Sequence, residues 1–322
     1  MTPTIPDYPS DKPIEILEQG TWPASVHLLK SETVAALRAA EAVGRPLLVR
    51  GLPGVGKSQT ARAAAAHTGR PFLSVVIDGR TEPQDLMWRV DAIKRLSDAQ
   101  AHRAQAEMHY VQPQVLWWAY QWSSAHQQTV GQCQLPPPHV PPAGWDAEHG
   151  RAVLLIDEID KADPDLPNAL LDVLANKGFT PPFAGAGPVR CTDRTRPLIV
   201  ITTNEERELP AAFLRRCLSI TLELPGSEAE LRAELVRLGT QHQTHLVKLG
   251  RWPGTCRLLE DAADRVIAAR KDAVQRGDYL PGTSEYLDLI GALATLYPDD
   301  QVKQQQQLDL LTRFIRKSRH AG

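Results

Sequence analysis

The segment GLPGVGKS, from Gly51 to Ser58, constrains this chain more than any other feature: it follows a short apolar run and opens directly into SQTARAAAAHT. Strand, glycine-rich turn and helix in that order fit the phosphate-loop pattern GxxxxGK[ST]. Glycine is needed because successive backbone N–H groups must curl around phosphate oxygens with no Cβ in the way, and the helix adds the positive end of its dipole. Gly51, Pro53, Gly54, Val55, Gly56, Lys57, Ser58 and Gln59 are therefore the candidate nucleotide-binding positions. Lys57 would meet the β- and γ-phosphates and Ser58 a Mg2+ ion.

A loop of this kind sits on a parallel sheet, and the rest of the chain fits one. Short β-like runs alternate with amphipathic helical ones, the pattern of an α/β domain. Five strands are expected: Leu47 to Arg50, Phe72 to Ile77, Val153 to Ile156, Leu198 to Thr202 and Ser219 to Leu224. Beyond Pro225 the pattern is helical to Lys317, with Leu258, Leu259, Ala262, Val266 and Ile267 on one stripe. At 322 residues the chain is long enough for about two domains. The expected division is an N-terminal arm over 1–25, rich in proline and loosely held before Lys12, an α/β domain over 26–225 and a small helical domain over 226–322. Proline, at 26 residues, clusters in QLPPPHVPPAGW between Gln134 and Trp145, an extended loop or linker. Trp117, Trp118 and Trp122 at helical spacing read as core, and Gln304 to Gln307 as an exposed helix face.

A phosphate loop does not by itself activate water, and AVLLIDEIDKAD supplies what is missing. Val153 to Ile156 describe a strand buried on both faces, ending in Asp157 and Glu158. Asp157 is suited to hold Mg2+, mostly through water, and Glu158 to accept a proton from the attacking water. The strand PLIVITTN ends at Asn204, which can orient that water or contact the γ-phosphate, or cap a helix. LPAAFLRRC places Arg215 and Arg216 side by side, and one of them could reach a neighbouring subunit's γ-phosphate. Arg257 stands at a helix start, where the dipole disfavours a cation, so an anionic partner such as nucleotide phosphate is expected.

Taken together, GLPGVGKS, LLIDEIDKA, ITTN, ELPAAFLRRC and PGTCR resemble an AAA+ ATPase of the MoxR group. ITTNEERELPAAFLRRCLSITLELP is especially similar to the branch containing CoxD-like ATPases, and the resemblance runs from about Val26 to Ile315. It implies a five-stranded parallel sheet in the order 5-1-4-3-2, a helical lid, and a homo-oligomeric ring, usually a hexamer, with ATP at each interface. By matching motif, Lys57 and Ser58 fall in Walker A, Asp157 and Glu158 in Walker B, Asn204 at sensor 1 and Arg257 at sensor 2, with the arginine finger at Arg216 or Arg215. The group also carries an insertion in its second helix, here within about 91–150, and a hairpin before the sensor 1 strand, here about 178–197. The proline-rich stretch before Walker B is a departure, longer than the pattern needs.

Other chemistries are poorly served. No apolar run approaches the roughly 18 to 20 residues that cross a bilayer, and MTPTIPDYPSDKPIEI does not read as a secretory signal, so a cytoplasmic protein without a membrane role is expected. The four cysteines are widely spaced and read as structural thiols. The pair His242 and His245 lacks the glutamate of a zinc-protease motif. Asn176-Lys177 runs into Gly178 and Phe179 rather than a guanine-reading aspartate, so the resemblance favours ATP. The charge is close to balanced, 22 basic and 25 acidic residues up to Pro225, and 14 and 13 after it; nucleic acid is not an expected partner. Two readings remain. One is a chaperone-like remodelling ATPase whose partner, by resemblance, carries a von Willebrand factor A domain. The other is a nucleotide-dependent switch in a bacterial conflict or defence system.

Overall fold

The computed structural model describes residues 5–315. In chain order its elements are β1 (Pro13–Ile16), β2 (Ser25–Leu28), α1 (Ser31–Val43), β3 (Leu47–Arg50), α2 (Lys57–Thr68), β4 (Phe72–Val76), β5 (Trp88–Val90), α3 (Ala92–Gln100), β6 (Val111–Pro113), α4 (Val115–Tyr120) and α5 (Trp122–Gln127). They continue with β7 (Val153–Asp157), α6 (Asp165–Asn176), β8 (Gly178–Phe179), β9 (Val189–Arg190), β10 (Leu198–Thr203), α7 (Ala211–Leu214), β11 (Leu218–Thr221), α8 (Glu228–Lys248), α9 (Leu259–Arg276), α10 (Thr283–Leu296) and α11 (Gln301–Thr312). The described residues form two compact units. One takes those up to Tyr8 with Ser31–Arg50 and Ala64–Ile220; the other takes Pro9–Lys30, Gly51–Ala63 and those from Thr221 onward.

The first unit is built on a five-stranded sheet in the order β11-β3-β10-β7-β4, the 5-1-4-3-2 order that the family resemblance implies. β10 is parallel to both β3 and β7, with Val200 opposite Leu47 on one side and Leu155 on the other. All of β10 and the first four residues of β7 are buried, as befits central strands covered on both faces. β4 lies at one edge, and its last residue, Val76, is more than half exposed. Truncating a central leucine such as Leu155 to alanine would cost about 2–5 kcal/mol.

At the N-terminal ends of the strands the sheet is held by a buried carboxylate. Glu41 of α1 accepts from Arg70 (2.7 Å), Arg151 (3.0 Å) and the Tyr8 hydroxyl (2.7 Å), while Arg196 donates to its backbone oxygen at 2.9 Å. Arg70, Arg151 and Arg196 each stand two residues before β4, β7 or β10, so one acid ties three strand entries together. Several donors are what make burial of a carboxylate tolerable. Burial and the adjacent Glu41 push the Tyr8 hydroxyl well above its ordinary pKa. The beginning of the chain thus differs from the loose arm expected before Lys12, since Tyr8 is buried; after it, β1 and β2 pair antiparallel, Pro13 opposite Leu28.

Between β4 and β7 the chain forms a small ribbon, β5 antiparallel to β6, with α3 between them. The three tryptophans are core, as the sequence indicates, but the helix carrying them breaks at Gln121 (φ −150°, ψ 74°) into α4 and α5. Trp118 and Trp122 meet edge to face at 5.0 Å, a favoured aromatic geometry. The proline-rich stretch is anchored on them: His139 lies 5.3 Å from Trp118, and Trp145 lies 4.9 Å from Trp122. The segment before β10 contains the short hairpin β8–β9.

In the second unit, α8 to α11 pack around Leu235, Ala262, Val266, Tyr286, Ile290 and Leu308. Gly239 of α8 lets Tyr286 of α10 approach closely, since a Cβ there would collide with the phenol ring. The glutamine run is not wholly an exposed face. Gln304 is fully buried, because its amide satisfies three backbone groups that the adjoining loops leave open: Arg257 N–H (2.7 Å), Thr255 C=O (2.9 Å) and Tyr297 C=O (2.7 Å). Arg313–Ile315 form a short turn, and the rest of the basic stretch 313–320 lies outside the described residues. Among the described residues no helix is long and apolar enough to cross a membrane.

Candidate nucleotide site

Parallel strands deliver their chemistry at their C-terminal ends, and in the first unit β7 and β10 do so side by side. Thr202, fully buried in β10, donates its hydroxyl proton to Asp157 Oδ1, and its oxygen accepts the Glu158 N–H at 3.0 Å. Glu158 itself has left-handed backbone angles (φ 60°, ψ 45°), uncommon for a residue with a side chain. The chain then turns, and Asp160 reaches the other way. Its Oδ2 accepts the N–H groups of Asn204 (3.2 Å) and Glu206 (3.0 Å). Lys161 pairs with Glu206, and Arg207 donates to the Ala162 carbonyl at 3.3 Å. At the end of β3, Arg50 donates from Nε to Glu205 at 2.6 Å. Asp157, Glu158 and Asn204 are thereby brought together at the C-terminal ends of β7 and β10.

The phosphate loop belongs to the second unit and is held by its backbone. Gly51, Gly54 and Gly56 all have positive φ (139°, 80° and 94°). A Cβ at Gly51 would collide with the Leu222 carbonyl oxygen, and one at Gly56 would stand 3.0 Å from His27 Cε1. Lys57, the first residue of α2, donates to the carbonyls of Gly51 (2.7 Å) and Leu52 (2.9 Å). Ser284, at the start of α10, donates to the Gly54 carbonyl at 3.3 Å. Gln59 accepts from Ser25 and from Arg62, both at 3.2 Å, which ties the first turn of α2 to β2. Burial, then the charge of His242, lowers the His27 pKa to about 4; burial, then His245, lowers His242 to about 4 as well.

The arginines fall in different settings. Arg215 and Arg216 follow α7, are both exposed, and have no ion pair among the described residues. Arg257 lies two residues before α9 and does have an anionic partner, but it is a side chain of the same unit: Asp299, at 3.3 Å. Two hydrogen bonds from Thr255, foremost its hydroxyl at 2.6 Å, and then Arg257 hold Asp299 below the usual carboxylate range. Thr202, Asp160, Arg50, Glu205 and Asp299 were not singled out by sequence reasoning. The repeated acids of IDEID and the doubled threonine of ITTN carried a faint signal for the first two; the others depend on long-range contacts that no local pattern encodes.

A glycine-cradled loop after a strand of a parallel sheet, with an acid pair ending another strand of that sheet, defines the P-loop class of nucleotide-binding folds. Residues 46–237 match the model of the AAA domain of the dynein-related subfamily. The match spans more than half of the chain, which belongs to that family. No curated protein matches the sequence. Among solved structures, a "putative ATPase" from Cytophaga hutchinsonii is 16% identical over 88% of this chain and 88% of its own, with a TM-score of 0.38. NtrX from Brucella abortus, in complex with ADP, is 15% identical over 89% of this chain and 51% of its own, with a TM-score of 0.37.

Proposed function

We propose that this chain is an ATP-hydrolysing MoxR-type AAA+ ATPase that remodels or matures a protein partner as an oligomeric ring. The observation that carries the hydrolytic reading is the acid pair Asp157 and Glu158 at the end of a buried central strand, in a chain that also carries a glycine-cradled Lys57. The loop's N–H groups and Lys57 bind the phosphates of ATP, and Glu158 takes the proton of the attacking water while Asn204 orients it. Mg2+ is the proposed metal: the Asp157 carboxylate and the Ser58 hydroxyl are each hard oxygen donors of the kind it takes alongside substrate phosphates. When bound, Mg2+ would neutralise phosphate charge. Arg257 is the proposed sensor 2, and it must exchange Asp299 for phosphate to act. The exposed Arg216, or Arg215 beside it, is the proposed finger toward a neighbouring subunit.

The ring, the protein client with a von Willebrand factor A domain and a cytoplasmic setting rest on the resemblance of ITTNEERELPAAFLRRC to the MoxR group. The test is the mass of the Glu158→Gln variant in ATP and in ADP, by light scattering after size exclusion. A rise from 35.5 kDa to roughly six times that mass in ATP supports the ring. A protein that binds ATP and stays monomeric favours the second reading, a nucleotide-dependent switch that assembles only with its effector.

A further inference from the structure

The two stitches between the ends of β7 and β10 are reciprocal. From β10, Thr202 holds the backbone of Glu158 and the carboxylate of Asp157; from the turn after β7, Asp160 holds the backbone of Asn204 and Glu206. Each element thus fixes the functional residue carried by the other. The register leaves little freedom at the base of this arrangement, since Ile201 faces Ile156 within the ladder and both are fully buried. Beyond the ladder, the relative placement of Glu158 and Asn204 depends on side chains. Asp160 also shows a feature that stability alone does not favour. It is 2% exposed, and its Oδ1 has no hydrogen-bond partner among the described residues, whereas a buried unpaired polar atom costs about 1–3 kcal/mol.

We propose that Thr202 and Asp160 are positioning residues which together set the general base Glu158 against the water-orienting Asn204. This inference rests on the hydrolytic reading above. Neither residue touches substrate; each acts by fixing the backbone of a residue that does. Their loss lowers turnover rather than nucleotide affinity, because phosphate binding belongs to the glycine loop and Lys57.

Two pairs of variants test this. Thr202→Val keeps the shape of the side chain and removes both hydrogen bonds, while Thr202→Ser keeps the hydroxyl. Asp160→Ala removes the acceptor. Asp160→Asn keeps an oxygen that can accept both N–H groups and puts a donor where the orphaned oxygen lies. For each purified full-length variant, three quantities are measured: ATPase kcat, affinity for a fluorescent ATP analogue with and without magnesium, and amide hydrogen exchange in peptides spanning 157–160 and 203–207. The expected result is at least a tenfold fall in kcat for Thr202→Val and Asp160→Ala, with affinity within threefold of the parent. Exchange should quicken at the Glu158 amide in the first and at the Asn204 and Glu206 amides in the second. Thr202→Ser and Asp160→Asn should return to within threefold of the parent rate. Faster exchange with undiminished kcat overturns the proposal, and so does unchanged exchange. Equal losses of affinity and kcat that serine or asparagine fails to rescue also overturn it, because they indicate a purely structural role. If the parent protein itself hydrolyses nothing, the hydrolytic reading falls instead, and hydrogen exchange still reports whether the stitches exist.

Discussion

The phosphate loop and the acid-bearing strand ends reach rigidity by opposite routes. The loop is shaped by backbone: three glycines at positive φ and a lysine that donates to the loop's own carbonyls. The strand ends are shaped by side chains of β10 and of the turn after β7 that reach across to each other's backbone. A backbone-built site is intolerant of any added Cβ but draws on few distant residues. A side-chain-built site tolerates its backbone but fails when a remote hydroxyl or carboxylate is removed. Substitutions in the two regions should therefore fail differently, one through folding and binding, the other through turnover.

The largest expected effect on ATP affinity is at Lys57. Lys57→Ala removes the proposed phosphate contact and two internal hydrogen bonds, and should weaken ATP binding at least fiftyfold by fluorescence titration, with the apo protein still folded by circular dichroism. Retained affinity would mean that the loop binds through its N–H groups alone. Next is Arg216→Ala, expected to lower kcat about a hundredfold or more while leaving affinity within threefold. A deficit found only with Arg215→Ala would move the finger one residue.

Gly51→Ala probes the backbone route directly. With φ at 139° and the Leu222 carbonyl in the way, it should destabilise the protein by about 2 kcal/mol or more in denaturant melts. A stable Gly51→Ala protein would erase the contrast between the two regions. The smallest effect concerns the histidines beside the loop. His27 and His242 have folded pKa values near 4, below the unfolded value of about 6.5. The folded state therefore binds fewer protons than the unfolded one between those limits. Their contribution to stability is complete above about pH 6.5 and is lost as pH falls toward 4. His27→Gln should flatten the decline in melting temperature over that window; an unaltered slope would show that His27 is not the group responsible.

What the sequence disclosed follows the same division. The loop was legible from Gly51 to Gln59 because its glycine spacing is its geometry, and β7 because Val153 to Ile156 admit no exposed face. The sheet order was carried by the resemblance alone. Thr202 and Asp160 were passed over because their importance lies in bonds between residues 44 to 46 positions apart. The same holds for Gln304, whose polar character suggested a surface but whose amide fits three open backbone groups, and for Tyr8, drawn in by Glu41. Arg257, for which the sequence pointed to nucleotide phosphate, pairs here with Asp299, a carboxylate that no helix-dipole argument could have named. The proline-rich stretch resisted reading because its anchors, His139 and Trp145, find their partners only once α4 and α5 are folded.

Hydrolysis of ATP with Glu158 as the base is tested by paired measurements of phosphate release and ATP affinity on the parent and on Glu158→Gln. The parent should release phosphate from ATP, and the variant should bind ATP within a few-fold of the parent yet turn over at least a hundredfold more slowly. A parent that neither binds nor hydrolyses ATP, or a Glu158→Gln protein that hydrolyses at the parental rate, would contradict it.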